Sequence, residues 1–450
     1  MSKDIRIQKG LDIKLIGEAT QLTTQLPISS VYAINPNDFH GIIPKLIAKE
    51  GTEVKAGEAL FYSKSDKRIL FASPVSGKVS EIIRGERRKI VAFKILADGK
   101  QEYKDFGKND ASKMSAEEVK NYLFASGCWP FVKQRPYDVI ANPNQTPKAI
   151  YISAYDSAPL ATDYDYTLKG KEAVLQAAVT ALSKLTDGKV HVSISKNSNL
   201  SPFADLKDVE IHKLFGTHPI GNVSTQIAQI DPINKGEVVW VVSPADVAII
   251  GELFLTGKLN LQRTIALVGA KFNKPGYVTA YPGAAITSIV KDNLDTENTR
   301  IINGNVLSGK QVSLEGYLGY YNNEITAIEE GNDYEMFGWT KPVFNKVSTT
   351  RALTFSWLNK RKKYDLNTNT NGEHRAFVVT GAYEEVFPLD IYPMQILKSC
   401  KYKDLDEMEG LGMYEVAPED FALTEFVCPS KQPHQQIIRE GLDLMKEEIG

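Results

Sequence analysis

Residues 50–82 read EGTEVKAGEALFYSKSDKRILFASPVSGKVSEI. Apolar and polar residues alternate in short runs broken by glycine, which predicts two β-hairpins. Val54, Gly57 and Leu60 shape the first. The run SPVSGKV shapes the second, with Gly77 supplying the freedom for a tight turn. Lys67 follows Asp66 at the loop between them, where a scaffold would hang a covalent swinging arm. The stretch thus decides between an arm carrier and a static β-sandwich. A carrier needs a flexible Ala/Pro linker, and none follows. The expectation is the static scaffold.

Around this stretch lie 450 residues, too many for one ordinary core, so two to four domains are expected. Hydrophobic residues make up 42% and charged residues 24%, the balance of a soluble globular protein. A net charge of −2 provides no global pull toward nucleic acid or anionic lipid. Cys128, Cys400 and Cys428 are far apart, an odd number without a CxxC pair, which points to a reducing compartment. The start, MSKDIRIQKGLDIKLIG, lacks the apolar core of a signal peptide. The most apolar tract, EVVWVVSPADVAIIGELFLTG, is interrupted by Pro244, Asp246 and Glu252 and is too short and polar to span a bilayer.

The β-rich pattern runs over residues 1–110. MSAEEVKNYLFASGCW then predicts a helix with Ser115 as N-cap and Glu118 closing a capping box. From about 148, KAIYISAY, GKEAVLQAAVTALSKL, KVHVSIS and EVVWVVSPADVAIIGELFL alternate strand and helix, so 111–256 predicts an α/β layer with parallel strands. Lys-Pro-Gly and Tyr-Pro-Gly turns mark 257–332 as a small mixed β domain. A polar, turn-rich connecting segment covers 333–384, and 385–450 is helical.

Several near-motifs resolve on inspection. GNVLSGKQ, residues 304–311, fits GxxxxGK, but Gln311 stands where a phosphate loop needs Ser or Thr and a strand follows, so it reads as a turn. The first α/β strand runs into SAYDSAPLATDYDY without GxGxxG, which counts against a dinucleotide or flavin in the usual crevice. Of six histidines only His212 and His218 are near neighbours, without an acidic or cysteine partner at metal-ligand spacing, so no metal site is expected. No catalytic dyad or triad can be assigned. His218, Pro219 and Gly221 in THPIGN are the candidate lining of a pocket. KRKK at 360–363 is the strongest basic run, of the kind that reads anionic headgroups or simply forms a solvated turn.

The C-terminal third holds two more informative stretches, FVVTGAYEEVFPLDIYP and PEDFALTEFVCPSKQP. The bacterial ferredoxin pattern C-x2-C-x2-C-x3-C-P, anchored on Pro388, puts Phe377, Thr380, Tyr383 and Phe387 at the cysteine positions. Anchored on Pro429, it puts Pro418, Phe421, Thr424 and Cys428 there. One thiol of eight remains: the skeleton of a two-cluster ferredoxin domain that cannot hold iron.

The hairpin stretch resembles the barrel-sandwich hybrid of biotinyl and lipoyl domains, with a Lys67-to-Pro74 interval one residue shorter than their usual spacing. Across the whole chain, IRIQKGLDIKLIG, PVSGKV, FGTHPIGNVSTQIAQIDP, GYLGYYNNEITAIEEG, FPLDIYP and EDFALTEFVCPSK resemble the A-subunit of the sodium-translocating NADH:quinone reductases (Na+-NQR). A more distant likeness is to the C-subunit of the Rnf electron-transport complex. Thr424 departs from a cysteine expected in relatives. The resemblance implies an α/β and β multidomain protein: a barrel-sandwich hybrid, a Rossmann-like α/β domain, a β-grasp domain of the soluble-ligand-binding (SLBB) type and a helical, degenerate ferredoxin-like end. It implies a peripheral protein on the cytoplasmic face of the inner membrane, docked to membrane subunits, chiefly the B-subunit. NADH, the flavins and the iron–sulfur centre would belong to other subunits. Ubiquinone is the one ligand implied here, with His218, Pro219 and Gly221 as candidate contacts. The rival expectations are a lipoyl- or flavin-bearing redox protein acting alone and a soluble small-ligand-binding protein.

Overall fold

The computed structural model describes the chain except residues 1, 199, 333, 334, 342, 350–354, 356, 357, 359 and 360. The run KRKK therefore begins on a residue outside the described ones.

The hairpins of the opening stretch form two facing sheets. One has the order Val31–Ile34, Ile90–Ala97, Gly77–Arg84, Glu53–Val54; the other has Pro44–Leu46, Ala59–Ser63, Leu70–Ala72. Four phenylalanines fill the space between them. Phe61 stacks on Phe71 at 4.5 Å and on Phe93 at 5.0 Å between ring centroids, and Phe39 meets it edge-on at 6.0 Å. Gly57 has φ +89° and makes the turn expected of it. Gly77 does something else: it opens a strand opposite Ala97, where an added Cβ would lie 2.0 Å from the Leu96 carbonyl oxygen. Its smallness serves a close strand approach, not the turn expected from its sequence context.

The α/β layer is a seven-stranded sheet in the order Asp4–Arg6, Glu210–Phe215, Val190–Ser195, Ile150–Ser153, Val239–Val241, Lys133–Arg135, Val139–Ile140. The first five strands run parallel, as the strand–helix alternation predicts. Lys133–Arg135 runs antiparallel to Val239–Val241, and Val139–Ile140 turns back antiparallel to it, an edge hairpin that precedes the strand–helix alternation in sequence. The pairing of Asp4–Arg6 with Lys213–Phe215 also carries the chain's start out of the 1–110 unit and onto this sheet. Helix Ala116–Ser126 has the capping box expected from Ser115 and Glu118. Helices Glu172–Ser183 and Pro244–Thr256 pack so closely that a Cβ on Gly251 would meet the Val174 carbonyl oxygen at 1.9 Å.

The third sheet runs Lys310–Val312, Thr299–Asn303, Glu324–Glu329, Arg263–Val268, Gly276–Ala280, Thr23–Gln25. Its last strand again comes from the first 110 residues. The GxxxxGK-like run is the turn between the antiparallel strands Thr299–Asn303 and Lys310–Val312, as expected. One continuous apolar core joins these three units, and a separate core gathers Tyr383, Phe387, Met413, Phe421 and Leu442 of the helical end. That end holds helices Ala382–Val386, Pro393–Tyr402, Leu405–Gly410, Ala422–Val427 and His434–Glu448. Among the described residues, no helix is long and apolar enough to cross a membrane.

Candidate functional site

A cavity of about 560 Å³ opens where the barrel-sandwich unit, the free edge of the seven-stranded sheet and the end of the last helix meet. The opening stretch builds one wall of it. Ser65, Asp66 and Ile69, from the loop between Ala59–Ser63 and Leu70–Ala72, face the space, and Lys67 stands exposed at the turn. Asp66 accepts from Arg68 Nη2 at 2.7 Å, and the same nitrogen donates to Asn144 Oδ1 at 2.7 Å. Arg68 also lies over the Phe124 ring at 5.3 Å. The Arg68 fork, more than any other group here, ties the loop to the sheet edge. It also holds the Asp66 carboxyl below its usual range.

The sheet edge makes the second wall. Lys133 pairs with Ile140 and Gln134 with Val139, and the turn between them is Arg135-Pro136-Tyr137-Asp138. Tyr137 has φ +78° and Asp138 φ +49°, a left-handed pair that side-chain-bearing residues rarely adopt. Strain of about 1–3 kcal/mol per such residue persists only where surroundings enforce it, and it concentrates at binding sites. Here the enforcement is visible. Arg439 Nη2 donates to the Tyr137 carbonyl at 2.7 Å, and Arg135 Nη2 lies 3.7 Å from Asp138 and 2.8 Å from Glu419 Oε1. Burial pushes the Asp138 carboxyl up, but Arg135, Lys133 and Arg439 together hold it below the ordinary range. The far wall is Tyr414, Lys446 and Ile449, while His40 is fixed by Asp443 at 2.7 Å. Burial lowers the Lys446 amine. The cavity therefore combines an apolar lining of Ile42, Ile69, Val139, Ile140 and Ile449 with the polar groups of Gln134, His40 and Lys446 on its rim.

The residues singled out from the sequence lie elsewhere. His218 is buried past the C-terminal ends of strands Glu210–Phe215 and Ile150–Ser153, joined to Pro219 by a cis peptide. Its N–H donates to Asp12 Oδ1 at 2.9 Å, its carbonyl accepts from Leu11 at 2.8 Å, and its Nδ1 is 3.0 Å from Ser157 Oγ. Burial drops its pKa to about 4. Gly221 donates to the same Ser157 Oγ at 2.8 Å and leaves no room for a Cβ, which would lie 2.5 Å from the Ser157 nitrogen. His218, Pro219 and Gly221 thus close a loop junction, with the backbone and Nδ1 of His218 and the N–H of Gly221 already engaged.

His212 meets His191 and Glu210 rather than His218, a trio whose ligand atoms lie within 4.8 Å. The signal was present in Glu-x-His and His-x-Ser on adjacent parallel strands, where alternate residues share a face. The hydrogen bonds argue against a cation. The Lys3 amide donates to His212 Nδ1 at 3.1 Å, which leaves the proton on Nε2, pointing at His191 Nδ1 3.0 Å away. The lone pairs a metal would need are taken, and burial lowers both imidazoles.

At the point where the strand order reverses, between Ile150–Ser153 and Val239–Val241, doubly wound folds bind nucleotides. Here the N-terminus of helix Pro244–Thr256 carries its own anion. Asp246 pairs with Ser243 Oγ at 2.7 Å and with Arg263 at 2.6 Å. Nearby, burial raises Asp156 to about 6, Asp420 to about 7 and Glu324 well above the carboxylate range. A crevice lined by buried carboxyl groups is poorly suited to a phosphate.

In the helical end the two ferredoxin-like motifs cross. In two-cluster ferredoxins the fourth cysteine of each run serves the other cluster. The corresponding positions meet in the same crossed way: Tyr383 Oη is 2.9 Å from Cys428 Sγ, and the tilted rings of Phe387 and Phe421 lie 4.9 Å apart. Side chains in contact occupy these positions.

Fold and site together define a multidomain protein of the barrel-sandwich and SLBB β-grasp class, with a Rossmann-like layer between them. Its domains match, in chain order, the NqrA N-terminal barrel-sandwich hybrid domain over residues 5–98, the NqrA second alpha/beta domain over 114–259 and the NQRA C-terminal domain over 264–313. The A-subunit of the Na(+)-translocating NADH-quinone reductase from Neisseria meningitidis (serogroup A) is 35% identical over 447 residues, 99% of this chain and 100% of the relative. The corresponding proteins of Yersinia pestis and Serratia proteamaculans are also 35% identical over 99% of this chain. The chain belongs to the A-subunit family of the Na(+)-translocating NADH-quinone reductases, whose members are components of an oxidoreductase complex.

Proposed function

We propose that this chain works as a peripheral subunit of a membrane complex that couples NADH oxidation and ubiquinone reduction to Na+ export. The observation that carries this reading is end-to-end similarity to A-subunit relatives, which covers all four structural units. In this reading the chain sits on the cytoplasmic face, docks to the membrane subunits, chiefly the B-subunit, and holds no redox cofactor of its own. Three features support the last point: buried carboxyl groups in the α/β crevice, a helix N-terminus occupied by Asp246, and ferredoxin-like positions filled by Tyr383, Phe387 and Phe421.

A quinone needs an apolar slot with a few polar anchors for its carbonyl oxygens. The cavity beside the strained Tyr137–Asp138 turn supplies both, so we place the quinone contact there rather than at His218, Pro219 and Gly221. In the assembled complex, Ile140→Trp, which fills the slot, is expected to raise the KM for quinone at least tenfold while the KM for NADH stays unchanged. His218→Gln is expected to leave both values near wild type. A silent Ile140→Trp with a quinone defect in His218→Gln would return the site to the THPIGN loop.

A further inference from the structure

The connecting segment differs from the rest of the chain in composition. Between residues 333 and 380 stand eight Lys or Arg against four Asp or Glu, a surplus of four positive charges in a chain of net charge −2. The same stretch holds eight aromatic residues and two of the four tryptophans, Trp339 and Trp357.

The structure turns part of this composition into a surface. Glu335 pairs with Lys346 at 2.7 Å. Phe355 donates its N–H to the Val343 carbonyl at 3.2 Å and packs its ring on Phe344 at 5.3 Å. Leu358 turns back on the Phe355 carbonyl at 3.0 Å, and Lys362 Nζ donates to the Phe344 carbonyl at 2.8 Å. These contacts hold Glu335, Val343, Phe344 and Lys346 beside Phe355, Leu358 and Lys362. On that patch Met336 is 79% exposed, Phe337 60%, Phe344 63% and Leu358 61%, with Lys341 exposed beside them. Single exposed apolar residues need no explanation, but four large ones on one small, basic patch do.

Aromatic and aliphatic side chains interleaved with lysine and arginine suit the boundary between headgroups and acyl chains. Charge separates lipid from protein as the occupant. Loops of membrane proteins on the cytoplasmic side carry excess Lys and Arg and would repel a basic patch, whereas anionic headgroups attract it. We propose that the described residues around Phe344 and Phe355 form a membrane-contact surface, with Met336, Phe337, Phe344 and Leu358 entering the headgroup layer of an anionic bilayer. This rests on the peripheral placement proposed above.

The test is flotation of the full chain with vesicles of phosphatidylglycerol and phosphatidylethanolamine, with phosphatidylcholine vesicles as the neutral reference. The expected result is partition onto the anionic vesicles, weakened by salt, and at least tenfold lower for F337S/F344S/L358S. Lys341→Glu, which leaves the apolar groups in place, should lower it several-fold. Near-ultraviolet circular dichroism checks that each variant folds. Equal flotation of wild type and triple variant, or none by either, overturns the proposal. If the chain ignores vesicles but the triple variant alone fails to co-purify with the membrane subunits, the patch is a protein interface and the peripheral reading stands. A wild-type chain that co-purifies with no membrane subunit whatever counts against the peripheral reading itself.

Discussion

Arg263→Ala is expected to destabilise the protein by about 3–5 kcal/mol, the cost of stripping one partner from a fully buried ion pair. Arg263 and Asp246 are 2% and 3% exposed and 2.6 Å apart, so the abandoned carboxylate has no water to turn to. The pair also joins two units. Arg263 opens a strand of the β-grasp sheet, Asp246 lies in the first turn of helix Pro244–Thr256, and a second guanidinium nitrogen reaches Asn323 Oδ1 at 3.1 Å. Phe131 stacks beneath the guanidinium at 5.6 Å. Replacing both partners by apolar residues of similar volume, R263M with D246L, should recover most of the loss, because no charge is left buried. A deficit of about 1 kcal/mol would remain from the lost contact with Ser243, the helix N-cap. Urea denaturation followed by tryptophan fluorescence distinguishes the two. If the single and double variants have the same midpoint, the loss comes from packing and not from the stranded charge.

Phe61→Ala should cost a comparable 3–5 kcal/mol, roughly, by cavity formation rather than electrostatics. Phe61 is fully buried at the centre of the phenylalanine stack, nearly parallel to both Phe71 and Phe93 at 11°. No neighbouring side chain can swing in to replace two ring faces. The strand carrying it leads straight into the loop whose Ser65 and Asp66 wall the cavity, so hydrogen exchange at residues 64–69 should quicken as well. A variant with unchanged stability and unchanged exchange there would mean that the two sheets can close over the gap.

What the sequence showed best was local. The Ser115–Glu118 capping box, the strands at 150 and 190 and the helix beginning at Pro244 all depend on residues within a few positions of one another, and all are found. Pairings across hundreds of residues left no local mark. Asp4–Arg6 joins a strand near 213 and Thr23–Gln25 one near 277, both in short runs that any sheet edge would accept. The cavity was hidden for the same reason, being assembled from loops near 40, 65 and 236, the sheet edge near 140 and the last helix near 446. Its clearest local sign was PFVKQRPYDVI, where a proline and an aspartate divide two apolar runs as a hairpin turn would. THPIGN drew attention through proline and glycine, yet those residues serve a tight loop junction. The crossed contacts of Tyr383 with Cys428 and Phe387 with Phe421 follow the motif spacing, because the spacing fixes which positions face one another.

The most direct measurement of the central claim is NADH-driven quinone reduction and Na+ uptake in vesicles carrying the complex, assembled with and without this chain. If the chain is a peripheral component needed at the quinone end, omitting it abolishes both, while NADH oxidation by a soluble artificial electron acceptor persists. Undiminished quinone reduction and Na+ uptake without the chain would contradict the account.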